Sequence, residues 1–96
     1  MINLTAEFHA KTESVLMLKQ ALEEMIIPTR SEKGCIRYQL FQNKNDSCHF
    51  LFQEQFLDQD SFNEHCNSNY FQVLLVAIDG FLITEPKITF FEELGE

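Results

Sequence analysis

The spacing of apolar residues changes abruptly within the first third of the chain, and this change restricts the folds open to it. In residues 2–10 every second residue is apolar, which predicts a strand with one buried face. In residues 13–31 the apolar positions follow helical spacing, which predicts an amphipathic helix. Thr12 or Ser14 is its expected N-cap, and Pro28 is expected to end or kink it. The chain therefore begins with a strand and a helix that can cover it.

The remaining segments predict a hairpin, two helices and a last strand. Residues 35–42 and 48–57 are predicted strands joined by the turn NKNDS, and residues 87–94 are predicted to form the last strand. Between them, DQDSFNEHC is expected to form a short helix, with a second helix from Ser68 to about Gly80. In the first of these, Ser61 and Glu64 have the spacing of a capping box.

The resulting order, β-α-β-β-α(α)-β, predicts an α+β fold. It is the ferredoxin-like split βαβ arrangement, an antiparallel four-stranded sheet with helices on one face. At 96 residues, we expect a single domain over residues 1–96.

Composition restricts the partners and the compartment. The formal net charge of −8 argues against nucleic acid, since neutralising phosphates requires clustered Lys and Arg. No apolar run reaches the roughly 18 residues of a membrane helix, and the N-terminus lacks the basic segment of a signal peptide, so no membrane partner is expected. Three widely spaced cysteines favour free thiols and a cytoplasmic location.

Helices can cover only one face of the predicted sheet. Phe50, Phe52 and Phe56 share one face of the third strand, whereas Leu51 lies on the other. In the last strand Phe91 points away from the helices. Because exposed apolar surface of this kind is typical of an interface, we expect a homodimer packed sheet against sheet.

His65 is the first candidate for chemistry. A helical histidine can simply donate a hydrogen bond to a backbone carbonyl, but Phe62, Tyr70 and Phe71 are expected to line a pocket around this one. A neutral imidazole beside apolar walls is suited to act as a general base. We expect His65 to be partly exposed, so that its replacement affects turnover more than folding.

Glu54 and Tyr38 are the second and third candidates. Glu54 is in phase with the phenylalanines of the third strand, so its carboxylate needs a partner. That partner is Arg37 on the adjacent strand, a group across the dimer, or, in a functional interpretation, His65 or a substrate hydroxyl. Tyr38 either fills the core or takes part in the chemistry.

The sequence predicts neither a metal site nor a cofactor site. His9, His49 and His65 lie on three separate predicted elements, without HxH or HExxH spacing. The chain also contains no GxGxxG, Walker lysine or other phosphate-binding glycine-rich loop.

Three segments, TRSEKGCIRYQL, FQEQFLDQDSFNEHCNSNYF and EPKITFFEEL, together resemble the antibiotic biosynthesis monooxygenase (ABM) family over nearly the whole chain. The residues that carry the resemblance are Pro28, Glu32, Gly34, Cys35, Tyr38, Glu54, Phe56, Phe62, His65, Ser68, Tyr70 and Phe71. The resemblance implies a ferredoxin-like homodimer, a dimeric α/β barrel, with a pocket between each sheet and its helices. It further implies a monooxygenase that oxidises a small electron-rich aromatic, a quinol or phenol, with O₂ and without a cofactor.

In this interpretation His65 is the base or proton shuttle, and Glu54 and Tyr38 orient the reactants. The expected substrate-binding residues are Phe52, Phe56, Phe62, Tyr70, Phe71 and Arg37. Two alternatives stay open. One is an isomerase of a phosphorylated, autoinducer-2-like signal, whose phosphate would need Arg30, Lys33 or Arg37. The other is a non-catalytic ligand-binding dimer. The direction in which the basic residues point distinguishes the monooxygenase from the isomerase.

Overall fold

The computed structural model describes residues 1–95 and has the predicted order of elements. The strands are β1 (Ile2–His9), β2 (Cys35–Gln42), β3 (His49–Phe56) and β4 (Lys87–Phe91). The helices are α1 (Val15–Glu23), α2 (Ile26–Arg30), α3 (Gln59–Cys66) and α4 (Asn69–Ile78). Within residues 1–95, no helix combines the length and apolar character needed to cross a membrane.

The four strands form one antiparallel sheet in the order β2-β3-β1-β4, which is the predicted ferredoxin-like arrangement. The helices pack on one side, which we call the inner face, and the opposite side is the outer face. Leu4 of β1 lies between Glu54 and Phe90, so these three side chains share the inner face. Asn3 lies between Gln55 and Phe91, which therefore share the outer face.

The core lies between the inner face and helices α1 and α4. The predicted buried face of β3 is confirmed, since Phe50, Phe52 and Phe56 are each at most 1% exposed. Leu18 and Leu22 of α1 and Leu74 and Ile78 of α4 are also buried, and all four except Leu74 have exposed fractions of 1% or less. Removing one such aliphatic or phenyl side chain from water stabilises the fold by roughly 1.5–3 kcal/mol, so this layer fixes the helices on the sheet.

The predicted helix over residues 13–31 is wrong in its continuity. The helix is interrupted at Glu24 and Met25, which separate α1 from α2. Pro28, the expected end or kink, lies within α2, and the interruption begins four residues before it. Proline has no N–H to donate to the carbonyl four residues earlier, and its ring collides with that carbonyl. That carbonyl belongs to Glu24, the C-cap residue directly after the end of α1. Ser14 occupies the N-cap position of α1, but its side chain makes no capping hydrogen bond.

The predicted capping box at Ser61 and Glu64 is also wrong. Asp58 is the N-cap of α3, and its carboxylate accepts hydrogen bonds from the backbone N–H of Ser61 at 2.8 Å and from its hydroxyl at 2.7 Å. Ser61 lies against Gly34, where a Cβ atom would come within 2.0 Å of the Ser61 Oγ. Gly34 therefore allows the N-terminal turn of α3 to approach the start of β2 closely.

The last strand is shorter than predicted. It ends at Phe91 rather than at residue 94, and Leu94 is exposed. The physical reason is the register with β1, in which Phe91 pairs with Asn3, close to the start of the chain. Beyond that point β1 offers almost no backbone to pair with.

Candidate functional site

A cavity of about 440 Å³ lies between the inner face and helices α3 and α4. Its walls are mainly apolar, and polar groups reach it from the sheet and from α3. Six of the predicted site residues line it: Tyr38, Phe52, Glu54, Phe62, His65 and Phe71. An apolar cavity with a few convergent polar groups is the usual form of a small-molecule site.

His65 lies on the inward side of α3 and is only 2% exposed, so the expectation of a partly exposed histidine is wrong. Aromatic rings surround its imidazole. The ring centroid lies 5.0 Å from that of Phe56, 5.1 Å from that of Phe71 and 5.7 Å from that of Tyr38. The histidine is thus both a packed core side chain and a wall of the cavity.

Glu32 fixes the orientation of the His65 ring. Its Oε2 lies 2.9 Å from His65 Nδ1, and the Tyr70 hydroxyl donates to the same oxygen. Burial, reinforced by the hydrogen bond to Glu32, raises the pKa of Tyr70 to about 12, so the hydroxyl keeps its proton. Because a carboxylate can only accept, His65 donates from Nδ1, and in the neutral imidazole the lone pair is then on Nε2. This is the tautomer that a general base needs.

Glu54 faces the same cavity from β3. It is 5% exposed, and its Oε1 has no hydrogen-bond partner among the described residues. Burial, and secondarily the negative charge of Glu32, raise the pKa of Glu54 to about 8. At neutral pH Glu54 is therefore mostly protonated and can donate a hydrogen bond to a ligand oxygen.

Arg37 does not pair with Glu54, contrary to one of our expectations. A β-bulge between Cys35 and Arg37 shifts the register of β2. Arg37 consequently lies opposite Gln55 on the outer face, whereas Tyr38 lies opposite Glu54 on the inner face. The structure therefore does not bring Arg37 together with His65.

Tyr38 is a core residue that also reaches the cavity. It is 3% exposed and stacks on Phe52 with a centroid distance of 4.4 Å. Burial, followed by the negative charge of Glu54, raises the pKa of the Tyr38 hydroxyl far above its ordinary value, so it remains protonated.

Two more of the predicted site residues lie behind the cavity wall rather than in it. Phe56 packs under the His65 ring, and Tyr70 binds Glu32 on the far side of that ring. Glu54 was the predicted carboxylate that orients His65, but Glu32 makes this contact. Sequence reasoning gave Glu32 no role, although it stands in the EKGC segment that carries the family resemblance. That segment marks Glu32 as part of the family resemblance, but it does not indicate which residue Glu32 contacts.

The charged groups around the cavity are acidic. Asp79 and Glu85 line it, beside Glu54, which is mostly protonated at neutral pH, and no lysine or arginine of residues 1–95 does so. Arg30 instead donates from Nε to the backbone carbonyl of Tyr38 at 3.0 Å. The basic residues that could hold a phosphate therefore lie outside this cavity.

Comparison with known proteins places this geometry in a family. The sequence profile described as antibiotic biosynthesis monooxygenase matches residues 1–75. The Mycobacterium tuberculosis protein Rv0793, provisionally named a monooxygenase, is 28% identical over 85 residues, which cover 88% of this chain and 82% of Rv0793.

Solved structures agree in fold. PA3566 from Pseudomonas aeruginosa superposes with a TM-score of 0.93 at 28% identity, covering 98% of this chain and 94% of its own. SO0527 from Shewanella oneidensis superposes with a TM-score of 0.87 at 30% identity, covering 94% and 87% respectively. The profile match spans most of the chain, and it includes strands β1 to β3, His65, Glu32 and Glu54. The chain belongs to the antibiotic biosynthesis monooxygenase family.

Proposed function

We propose that this protein is a cofactor-independent monooxygenase that oxidises a small electron-rich phenol or quinol with O₂. The observation that carries the proposal is the Glu32–His65 pair, in which Glu32 engages Nδ1 and leaves Nε2 of the imidazole free to act as a base in an aromatic-walled cavity. Such a base can remove a phenolic proton, and the walls exclude water from the anion that forms.

The proposed reaction draws all its electrons from the substrate. His65 Nε2 takes the proton of the phenol, and the phenolate passes one electron to O₂. The phenoxyl radical and superoxide then join through a new C–O bond at a ring carbon that carries hydrogen. The peroxide receives the proton back from His65, its O–O bond breaks, and water leaves with the ring hydrogen. The sum is phenol plus O₂ giving quinone plus water.

Glu54 and Tyr38 have a supporting role in this proposal. Both are buried in the cavity wall, and both keep a proton at neutral pH. Each can donate a hydrogen bond to an oxygen that becomes negative during the reaction, where a preorganised donor is most effective. Phe52, Phe62 and Phe71 would contact the faces and edges of the substrate ring.

The two alternatives receive less support. A phosphorylated signal would bring at least one negative charge into a cavity whose charged lining residues are acidic within the described chain. A purely binding module would not need a buried carboxylate behind the inward-facing histidine.

Oxygen consumption by the purified protein with a panel of phenols and quinols tests the proposal. We expect turnover of at least one compound in the presence of a chelator, with one atom of isotopically labelled O₂ in the product. Isomerisation of a sugar phosphate, or tight binding of a panel compound without oxygen uptake, would instead support the corresponding alternative.

We also propose that the protein acts as a cytoplasmic homodimer joined through its outer faces. Phe41 and Phe91 lie on the outer face and are 48% and 55% exposed. A surface hollow of about 560 Å³ extends between Arg37 and Phe91 on the same side. A second copy packed on this side would cover the exposed rings of Phe41 and Phe91. All three cysteines are free, in keeping with a reducing compartment.

Phe91→Asp is expected to convert the dimer to a monomer, because an unpaired carboxylate in an interface is costly to desolvate. Light scattering measures the mass directly. Val76→Asp is the matched control, since Val76 is exposed on α4 on the helix side of the sheet. A wild-type mass of one chain at micromolar concentration, or dissociation by Val76→Asp instead of Phe91→Asp, would contradict the proposed interface.

A further inference from the structure

Two histidines and a glutamate meet on the outer face, away from the cavity. His9 of β1 pairs directly with His49 of β3. Glu7 lies two residues before His9 in β1, and its side chain is therefore on the same face. One ligand atom from each of the three residues lies within 4.8 Å of the others. His9, His49 and His65 do lie on separate elements, but strand pairing brings the first two together, which spacing along the sequence does not show.

The hydrogen bonds around His49 define which of its ring nitrogens carries the proton. Asn43 Oδ1 accepts from the backbone N–H groups of Asn45 at 2.8 Å and Asp46 at 3.2 Å, which turns its amide N–H₂ toward His49 Nδ1 at 3.1 Å. Since the amide nitrogen can only donate, Nδ1 accepts and the proton of the ring is on Nε2. Nε2 then donates to Glu7 Oε1 at 2.9 Å.

We propose that Glu7, His9 and His49 form a binding site for a divalent metal of the Zn²⁺ class. Two imidazoles and one carboxylate are a ligand set that zinc uses, with the fourth position open to water. The metal ion would take the place of the Nε2 proton of His49, in contact with a carboxylate that already lies there. All three side chains are half-buried in the single chain, so they are partly held in place.

Metal binding requires a small local rearrangement. The His9 and His49 rings are stacked, with centroids 4.5 Å apart and planes 2° from parallel. A metal lies in the plane of each imidazole that binds it, so one ring must turn about its Cβ–Cγ bond. Lys87 lies opposite Glu7 in the register of β1 and β4, so a second cationic group is anchored beside the site. Both features indicate a site of moderate affinity.

The contact between Asn43 and His49 Nδ1 provides a sharp test. When a metal binds Nε2 of a neutral imidazole, the ring proton moves to Nδ1 and needs an acceptor. Asn43 presents a donor there, whereas Asn43→Asp would present a carboxylate oxygen and could still accept from Asn45 and Asp46. Asn43→Asp is therefore expected to tighten Zn²⁺ binding by about 10-fold or more, the usual effect of a group that is hydrogen-bonded to a metal ligand.

Competition between the full-length protein and a chromophoric chelator for Zn²⁺ measures the site. We expect one equivalent per chain, a loss of at least about 10-fold in affinity for His9→Gln and His49→Gln, and no change for the exposed-site control Glu23→Gln. Unchanged binding in both histidine variants would overturn the proposal, as would a cobalt spectrum with thiolate bands, which would assign the metal to cysteine. A failure of Asn43→Asp to tighten binding would also count against Nε2 of His49 as the ligand.

This site is independent of the proposed oxidation, because it lies on the opposite face of the sheet from His65. Oxygen consumption that survives the chelator while zinc binding is abolished would leave both proposals standing. If His49→Gln loses zinc binding but keeps its rate of oxygen consumption, the metal site and the oxidation site are separate.

Discussion

His65→Gln is expected to lower kcat for oxygen consumption by about 10²–10⁴-fold, the usual contribution of a general base. Gln is similar in length to His and can still form a hydrogen bond with Glu32, but its amide cannot accept the phenolic proton. KM is expected to change little, since the aromatic walls remain. The measurement is steady-state oxygen uptake with the substrate identified by the panel.

Glu64→Gln is the matched control, because Glu64 precedes His65 in α3 but is exposed. It is expected to retain wild-type turnover. Glu32→Gln tests the positioning residue and is expected to lower kcat with little effect on KM, because the charge that favours the imidazolium is removed. If folded His65→Gln protein turns over at the wild-type rate, His65 is only a packing residue.

His65→Ala is less informative than His65→Gln. The imidazole is buried against Phe56, Phe71 and Tyr38, so truncation to Ala leaves a void and an unpartnered Glu32. Replacing a large buried side chain by Ala typically costs about 3 kcal/mol or more, which would mix a loss of folding with a loss of catalysis.

The contribution of Glu54 to the free energy of unfolding is expected to fall as the pH rises from about 4.5 to about 8. The pKa of Glu54 is raised from 4.5 to about 8 in the fold, so over this interval the folded chain holds one proton that the unfolded chain has lost. The free energy of unfolding then decreases with pH, by about 1.4 kcal/mol per unit for one proton. Below the interval both states are protonated, and above it both are ionised.

Glu54→Gln isolates this contribution, because Gln has nearly the same shape and no charge. Denaturant titrations at several pH values are expected to give the variant a flatter profile than the wild type and a greater stability near pH 8. Glu23→Gln is the control, since that side chain is exposed and solvated in both states. Parallel profiles for wild type and Glu54→Gln would show that Glu54 is ionised in the fold at neutral pH.

Both predictions depend on contacts that bring distant parts of the chain together. Glu32 precedes α3, yet it binds His65 and Tyr70 across 33 and 38 residues of sequence. The raised pKa of Glu54 in turn depends on burial beneath α3 and α4 and on the nearby charge of Glu32.

The sequence by itself determined the order of elements, the inward faces of β1, β3 and β4, and the choice of His65 as the first candidate for chemistry. These follow from local rules, since alternation along a strand and helical spacing each depend on a few neighbouring residues. The register of the strands and the packing of α3 decided the rest. A bulge turned Arg37 to the outer face, strand pairing joined His9 to His49, and the close approach at Gly34 set α3 against the sheet. Such long-range pairings are fixed only when the whole core is packed, and for that reason the partner of His65 could be identified only from the tertiary structure.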